Sequence, residues 1–366
     1  MAPTALLIGG TGPTGPPIAA GLEARGYEVT LLHSGRHEVD EVAHLRHLHA
    51  DAYTEASLVE GLGEETFDVA IAAYGRLRTI AALLVGRVGR FLSIGGVPVY
   101  KGYFDPDAHD PSGLPVPTAE DAELATDAED AKSYRIGRTE EIVFEHHPGA
   151  THFRYPFVYG PRQLVPREWC IVRRILDGRP FLVLADDGLT LVTHGYVENL
   201  AHALLLAVDQ PETAQGEVFN CGDEECLTVH QVAELLADEL GHDWELIGMP
   251  AELAIPARPL MMNHRSTHRV LDLAKLRDRL GYRDVVPARE AVRRTGRWLV
   301  ANPPAPAGPE EVVLEDPFDY AAEDRLVDWW RAATAAPPDL GYVTLPGYGL
   351  AYGGPGATRI RSDERI

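Results

Sequence analysis

The chain has 366 residues, of which 45% are hydrophobic and 24% are charged, as is usual for a soluble globular protein of one or two domains. Its formal net charge of -22 repels nucleic-acid phosphates and anionic membranes, so we expect neither as a partner. Apolar runs such as AHALLLAV at residues 201–208 are too short to span a bilayer, and the N-terminus lacks the basic region of a signal peptide. These features predict a cytoplasmic location.

The cysteines and histidines favour neither a disulfide framework nor a metal site. Cys170, Cys221 and Cys226 are too few for a framework, and CGDEEC at residues 221–226 has no second pair at metal-binding spacing. The histidines between residues 33 and 51 are close in sequence but irregularly spaced. The sequence therefore predicts reduced cysteines and no metal ion.

Strand-like and helix-like segments alternate along the first half of the chain. Short apolar runs that read as buried strands occur at residues 4–10, 27–33, 44–51, 67–73, 89–96 and 151–157. Helix-length segments separate most of them, and this alternation is typical of a parallel sheet with helices on both faces. We predict an α/β fold, a Rossmann-type doubly wound parallel sheet with a smaller C-terminal substrate-binding region.

A glycine-rich loop, GGTGPTG at residues 9–15, follows the first strand and opens the first helix. Glycines in this context let the backbone turn tightly and approach a pyrophosphate at the helix N-terminus, so the loop predicts dinucleotide binding. Pro13 is expected in the first helical turn, where its missing N–H costs little. The predicted cofactor contacts in the loop are Gly9, Thr11, Gly12, Pro13, Thr14 and Gly15.

The end of the second strand indicates which dinucleotide is bound. NAD-binding proteins often hold an acidic residue there for the ribose hydroxyls, but this chain has His33, Ser34 and Arg36. An Arg and a hydroxyl without a carboxylate suit a 2′-phosphate, so we predict NADP(H), with NAD(H) as the alternative. In that alternative Arg36 is only a surface residue.

Several ordered segments resemble the short-chain dehydrogenase/reductase superfamily, in its extended, epimerase/dehydratase-like branch. They are LLIGGTGPTG, the Asp after the third strand, AAYG at residues 72–75, FRYPFVYGPR at residues 153–162 and GYVENLAHALLLAV at residues 195–208. The resemblance covers about residues 4–300. It implies further cofactor contacts from Asp51, Ala52, Ala72, Ala73, Tyr74, Tyr155 and Phe157.

The resemblance also implies a catalytic group that this chain carries only in part. Family members have a Tyr that moves a proton, a Lys four residues on that holds the ribose, and a Ser or Thr that binds the substrate oxygen. Here KSYRIGRTEE at residues 132–141 supplies Tyr134 and Arg138, and Gly96 stands at the hydroxyl position. Arg138 keeps a positive charge but has a larger, planar group than Lys.

A replacement for the missing hydroxyl has to come from nearby. The candidates are Tyr100, Tyr103, Ser93 and Lys101, and of these Tyr100 matches a tyrosine common at this place in the family. The predicted catalytic residues are therefore Tyr134, Arg138 and Tyr100.

The second half of the chain predicts the substrate region. Residues 1–160, with a return at 195–220, are assigned to cofactor binding, residues 161–194 and 221–300 to substrate, and residues 301–366 to an extension. Helices are expected at 228–241, 266–282 and 324–336. Arginines 162, 167, 173 and 174 suit a diphosphate, although they also suit a solvated helix.

The predicted function is hydride transfer at a carbinol or carbonyl carbon of a small polar or sugar-like metabolite. One alternative is a nucleotide-sugar epimerase or dehydratase that recycles NAD within one turnover. Another is a cofactor-binding sensor or scaffold with little catalysis, which the changes at Gly96 and Arg138 favour. Family resemblance implies a homodimer through the helix that carries Tyr134.

Overall fold

The computed structural model describes residues 2–72, 76–261 and 265–343, which fall into two units, up to Pro317 and from Phe318 onward. The strands are β1 (Thr4–Ile8), β2 (Glu28–His33), β3 (Arg46–His49), β4 (Phe67–Ala72), β5 (Val88–Gly96), β6 (Thr151–Tyr155), β7 (Phe157–Tyr159), β8 (Phe181–Ala185), β9 (His194–Tyr196), β10 (Val218–Asn220) and β11 (Glu245–Met249).

Thirteen α-helices lie within the described residues. They are α1 (Gly15–Glu23), α2 (Glu55–Leu62), α3 (Leu77–Leu83), α4 (Ala131–His146), α5 (Glu168–Leu176), α6 (Val197–Asp209), α7 (Pro211–Ala214), α8 (Val229–Leu240), α9 (Arg258–Met261), α10 (Ala274–Leu280), α11 (Ala288–Ala301), α12 (Pro309–Val312) and α13 (Tyr320–Thr334). None of them is long and apolar enough to cross a membrane.

Seven parallel strands form the central sheet in the order β10-β6-β5-β4-β1-β2-β3. The order reverses between β1 and β4, which leaves a crevice at the carboxyl ends of these strands. The predicted Rossmann-type doubly wound sheet is confirmed. Its switch point lies directly beside the glycine-rich loop.

Each face of the sheet has its own apolar core. On β1, Ala5 and Leu7 belong to a core with α1 and α6, while Leu6 and Ile8 belong to another with α2 and α3. Successive strand residues point to opposite faces, so a strand buried on both sides needs a continuous apolar run. This is why TALLI is apolar throughout its buried part.

The predicted sixth strand, residues 151–157, is two strands in the structure. β6 ends at Tyr155 and pairs with β5 and β10, while β7 begins at Phe157 and pairs with β9 in a separate small sheet. Pro156 lies between them and has no N–H for the ladder, so the chain leaves the central sheet there.

Two helices predicted in the second half have different outcomes. α8 begins after Thr228, which forms a capping box with Gln231, and ends at Gly241 in the left-handed conformation, as predicted. The helix predicted over 266–282 is reduced to α10, because Arg269 and Leu271 form isolated bridges with Val192 and Thr118.

The region after the central sheet contains a two-stranded sheet, β8 with β11, and helices α5, α8 and α11, which contact one another. Trp169 Nε1 of α5 donates to Glu311, and Arg174 pairs with Asp316. Residues 309–316 thus pack on α5 within the first unit.

The second unit contains α13, which begins four residues before the predicted helix at 324–336. Asp319 caps it by accepting a hydrogen bond from the Ala322 N–H. Trp329 is half exposed within this unit. Residues 344–366 of the predicted extension lie outside the described residues.

Candidate functional site

The glycine loop has no room for side chains where the backbone turns. Gly9 has a φ of 84°, and a Cβ added to Gly15 would lie 2.0 Å from the Gly10 carbonyl oxygen. The Gly12 N–H donates to Gly9 O and the Gly15 N–H donates to Gly12 O. The loop therefore brings bare backbone to the N-terminus of α1, which is the arrangement that a pyrophosphate requires.

The expectation for Pro13 is wrong in one respect. α1 begins at Gly15 with Thr14 as its N-cap, so Pro16 occupies the first turn and Pro13 lies in the loop before it. Pro16 has the same missing N–H, and the physical reason for a proline at this end of the helix is unchanged.

Polar residues stand at the end of β2, at the edge of the sheet where the glycine loop also lies. Ser34 and Arg36 are exposed, and the Arg36 N–H donates weakly to Ser34 Oγ over 3.4 Å. His33 is buried and turns toward β3, where its Nε2 lies 2.8 Å from Nδ1 of His47. Burial lowers the pKa of His33, so it is neutral near pH 7.

Two predicted cofactor residues, Asp51 and Ala52, follow β3, and a third, Ala72, is the last residue of β4. All three lie at the carboxyl edge of the sheet, where they were predicted. The Asp51 carboxylate accepts a hydrogen bond from the Tyr53 N–H at 2.9 Å and so helps to turn the chain into α2. Ala73 and Tyr74 lie outside the described residues.

Tyr134 and Arg138 lie one turn apart on α4, as the spacing predicts. The Tyr134 side chain is 38% exposed. Arg138 is held on its own helix by ion pairs with Glu141 at 2.5 Å and Glu145 at 3.0 Å. Arg138 is thus engaged by two carboxylates of its own helix, and its predicted contact with the ribose remains a prediction.

Tyr100 does not have the environment of a proton donor to substrate, which corrects the sequence prediction. It is 1% exposed, donates its hydroxyl proton to Asn220 Oδ1 at 2.7 Å and accepts a hydrogen bond from Arg154 Nη1 at 2.8 Å. Burial raises the pKa of Tyr100 to about 12. Its hydroxyl joins β5, β6 and β10 instead.

The other candidates for the missing hydroxyl are also engaged. Ser93 is fully buried and its Oγ lies 2.7 Å from His152 Nδ1. Lys101 pairs with Glu123 and Glu129, and Tyr103 is buried beside Arg269. None of the four candidates takes the place of a hydroxyl at Gly96.

Tyr155 and Phe157 have different environments. Tyr155 is buried in the core, and its hydroxyl donates to Leu200 O at 3.1 Å. Its hydroxyl is therefore not free for the cofactor contact that the sequence predicted. Phe157 is half-buried, and the Arg167 guanidinium lies over its ring at 3.5 Å from the centroid.

Two arginines, the buried Arg269 and the half-buried Arg167, form a cationic site next to Phe157. Arg269 is 2% exposed; its Nη2 donates to Met261 O, while Nε and Nη1 have no hydrogen-bond partner among residues 2–72, 76–261 and 265–343. Burial lowers the pKa of Arg167 to about 10, and the charge of Arg269 lowers it as well. His194, buried against this site, has its pKa lowered to about 3.

Of the arginines predicted to suit a diphosphate, Arg167 alone lies in this cationic site. Arg162 pairs with Glu41, Arg173 with Glu311, and Arg174 with Asp316. Arg269 was missed, because its segment reads as part of a helix. The bridge between Val192 and Arg269 brings it to Arg167, and the sequence carries no signal of that pairing.

The central sheet and the glycine loop beside its switch point define a Rossmann-type fold. More particularly, residues 140–222 match the sequence model of the NAD dependent epimerase/dehydratase family. This stretch of the chain thus resembles the epimerase/dehydratase family, in agreement with the resemblance seen in the sequence.

Curated relatives match over shorter stretches. The 3beta-hydroxysteroid-dehydrogenase/decarboxylase isoform 2 of Arabidopsis thaliana is 29% identical over 38% of this chain and 29% of its own length. The UDP-D-apiose/UDP-D-xylose synthase 2 of the same plant is 35% identical over 23% of this chain and 22% of its own. Each match spans well under two thirds of the relative.

Solved structures match over most of the chain. The UDP-glucuronic acid 4-epimerase from Bacillus cereus, in complex with UDP-glucuronic acid and NAD, has a TM-score of 0.62, 14% identity and coverage of 82% of this chain and 99% of its own. At this identity the likeness is one of fold.

Proposed function

We propose that the protein is an NADP(H)-dependent enzyme that transfers hydride at a carbinol or carbonyl carbon of a sugar-like metabolite bearing a phosphate or diphosphate. The observation that carries the substrate class is the pair formed by the buried Arg269, with two unpaired donors, and the half-buried Arg167. Two like charges held out of water are unfavourable when no anion is present. Phosphate oxygens relieve this by accepting several charge-assisted hydrogen bonds at once.

The relatives' names divide between two substrate classes, and the arginines favour one of them. A hydroxysteroid is apolar and would leave Nε and Nη1 of Arg269 without an acceptor, whereas a UDP-sugar carries a diphosphate. Unsatisfied buried donors discriminate strongly against a ligand that lacks the acceptor. A nucleotide-diphosphate sugar is therefore the substrate class that we propose.

The residues of the glycine loop fit a dinucleotide, because a Cβ at Gly15 would fill the space against Gly10 O. The preference for NADP(H) rests on His33, Ser34 and Arg36, which supply no carboxylate at the β2 terminus. Fluorescence titrations of Arg36→Ala with NADPH and with NADH test this cofactor preference. NADPH affinity should fall more than NADH affinity, and equal losses would leave NAD(H) as the cofactor.

In the proposed mechanism a nicotinamide cofactor held at the glycine loop would supply the chemistry of hydride transfer. Tyr134 moves the proton of the substrate hydroxyl, and its partial exposure leaves it accessible to a ligand. Arg167 and Arg269 hold the anionic end and so fix the position of the reacting carbon. If the same cofactor returns the hydride within one turnover, the net reaction is epimerisation or dehydration.

The decisive experiment compares UDP-glucose with glucose in a thermal-shift assay of the NADPH-loaded protein. We expect UDP-glucose and UDP to raise the melting temperature and glucose to leave it unchanged. If a hydroxysteroid raises the melting temperature and UDP does not, the proposed substrate class is wrong.

A second candidate function is a cofactor-binding sensor with little catalysis. It is favoured by Arg138, which is paired with Glu141 and Glu145, and by the engagement of Tyr100 and Ser93 elsewhere. Replacing Tyr134 by Phe separates the two functions once a substrate turns over. A loss of turnover with unchanged NADPH affinity supports the enzyme, and unchanged turnover removes Tyr134 from the mechanism.

The homodimer through α4 and the cytoplasmic location remain predictions. Light scattering during gel filtration measures the oligomeric state. A dimer that persists when exposed charges of α4 such as Glu145 are reversed would be built on another surface.

A further inference from the structure

Three histidines and one glutamate converge beside the glycine loop, at the end of the sheet formed by β2 and β3. The ligand atoms of His33, Glu38, His47 and His49 all lie within 4.8 Å of one another. We propose that these four residues, here called the His3Glu cluster, form a transition-metal site suited to Zn²⁺. The inference does not depend on the proposed enzymatic function.

Strand register explains why residues so far apart in sequence meet. β2 and β3 are parallel, with His33 opposite His49 and Leu31 opposite His47. Paired residues and residues two apart share a face of the sheet, so all three imidazoles lie on one face. The spacing looks irregular only while the pairing of the two strands is unknown.

The distances are compatible with one ion after small movements. Glu38 Oε2 lies 3.6 Å from His47 Nδ1 and 3.9 Å from His33 Nε2, and Glu38 Oε1 lies 3.5 Å from His49 Nε2. Tetrahedral Zn²⁺ with ligands at about 2.0–2.1 Å places its donor atoms about 3.3 Å apart. The contact between His33 and His47 at 2.8 Å would lengthen slightly.

Hydrogen bonds already orient one ligand. His47 Nε2 lies 2.9 Å from Val42 O, and a carbonyl can only accept, so Nε2 carries the proton. The lone pair of His47 is then on Nδ1, which faces the centre of the cluster. A backbone carbonyl that fixes the tautomer of a ligand in this way is a usual feature of metal-binding histidines.

His33 has to change its tautomer. Its Nδ1 accepts a hydrogen bond from the Gly35 N–H at 3.2 Å, so without a metal its Nε2–H donates to His47. Binding moves this proton to Nδ1, so the metal replaces two hydrogen bonds of His33, the one to His47 and the one from the Gly35 N–H, which has to turn away from the new Nδ1–H. Neutral imidazole remains neutral, as a zinc ligand requires.

The burial of the four side chains suits a site that is rigid inside and open outside. The side chains of His33 and His47 are 4% and 15% exposed, while those of Glu38 and His49 are 53% and 59% exposed. The inner pair is preorganised by packing, and the outer pair leaves an entry path for the ion. Three imidazoles with a carboxylate favour Zn²⁺ or Co²⁺ over Mg²⁺ or Ca²⁺, which prefer oxygen ligands.

Cobalt titration of the full chain, without nucleotide, tests the site. Wild-type protein should develop the visible absorption of tetrahedral Co²⁺ with one equivalent bound, and Zn²⁺ should displace it. His49→Ala and Glu38→Gln should each weaken binding by roughly 10- to 100-fold or more, since a loss of about this size typically follows even when a residue that only orients a ligand is replaced. Both side chains are exposed, so both variants are expected to fold, which circular dichroism verifies.

The matched control is His44→Ala, in the same segment. Its Nε2 lies 2.9 Å from Glu23 Oε1, apart from the cluster, and this variant should bind Co²⁺ like wild type. The proposal is overturned if wild type shows no tetrahedral Co²⁺ spectrum, or if His49→Ala and Glu38→Gln bind the metal as tightly as His44→Ala.

Discussion

Arg154 donates to both carboxylate oxygens of Glu140, from Nε at 2.9 Å and from Nη2 at 2.7 Å, and both side chains are nine-tenths or more buried. Arg154 lies on β6 and Glu140 on α4. The pair therefore joins the helix that carries Tyr134 to the strand next to the β10 edge of the sheet, less than two turns away from that residue.

Breaking this pair should be costly. Glu140→Ala leaves the Arg154 guanidinium buried without its carboxylate, and such a loss typically destabilises by about 3–5 kcal/mol. Glu141→Ala is a matched control, because Glu141 is exposed and its ion pair with Arg138 lies in solvent, where such pairs contribute little to stability. Urea unfolding measures both. Equal effects of the two substitutions would mean that the Arg154 pair is not a structural link.

The glycine loop should be intolerant of a single methyl group. In Gly15→Ala the new Cβ meets Gly10 O at 2.0 Å, so the loop has to move away from the α1 N-terminus. We expect NADPH affinity to fall by roughly tenfold or more, since one lost charge-assisted hydrogen bond is worth about 1.5–3 kcal/mol.

The control for the loop is Gly26→Asn. Gly26 has a φ of 80° with no atom near its Cβ position, and Asn accepts this conformation. Fluorescence titration of NADPH should give a wild-type value for this variant. A wild-type NADPH affinity in Gly15→Ala would show that the loop does not bind the cofactor.

The arginines of the cationic site predict opposite effects on stability and on binding. Arg269→Met removes a buried charge with two unpaired donors, and replacing such a charge by an apolar side chain is often neutral or stabilising. The same change should abolish the thermal shift given by UDP-glucose. Arg265→Met, at an exposed arginine paired with Asp107, serves as the control. A variant that keeps the full ligand shift would contradict the proposed anion site.

His152 should make the protein sensitive to acid. Burial lowers the pKa of His152 to about 4, so between pH 6.5 and 4 the unfolded chain binds more protons than the folded one. Stability is complete above pH 6.5 and falls as the pH decreases, by about 2 kcal/mol between pH 7 and pH 5 for this group.

Urea unfolding at these two pH values checks the effect of His152. In His152→Gln the difference in unfolding free energy between pH 7 and pH 5 should be smaller than in wild type by about 2 kcal/mol. His194, with its pKa lowered to about 3, still contributes in both proteins. An unchanged difference would show that His152 is not buried in its neutral form.

The sequence alone was sufficient to predict the parallel sheet and the dinucleotide-binding loop. Buried parallel strands require continuous apolar runs, and a loop that approaches a pyrophosphate requires glycines, so TALLI followed by GGTGPTG indicates both features within fifteen residues. These are local requirements of backbone and burial. Thr228 and Gly241 likewise define the ends of α8 by local hydrogen bonding and backbone conformation.

Only the tertiary structure decided how the side chains are partnered. Tyr100 and Ser93 have hydroxyl groups that suit a catalytic role, but Asn220 and His152 occupy them across the sheet. Arg138 satisfies the spacing from Tyr134 and yet pairs along its own helix. A residue type and its spacing determine what a group can do, whereas the orientation of that group depends on neighbours distant in sequence.

The same reason explains the two clusters that the sequence left unassembled. Arg269 meets Arg167 through a bridge to Val192, and His33 meets His47 and His49 through the register of β2 and β3. By itself the sequence determined the fold and the place of the dinucleotide loop, because local patterns encode burial and backbone turns. Tertiary structure alone decided which charged and titratable side chains share a site, because strand pairing brings them together from distant positions.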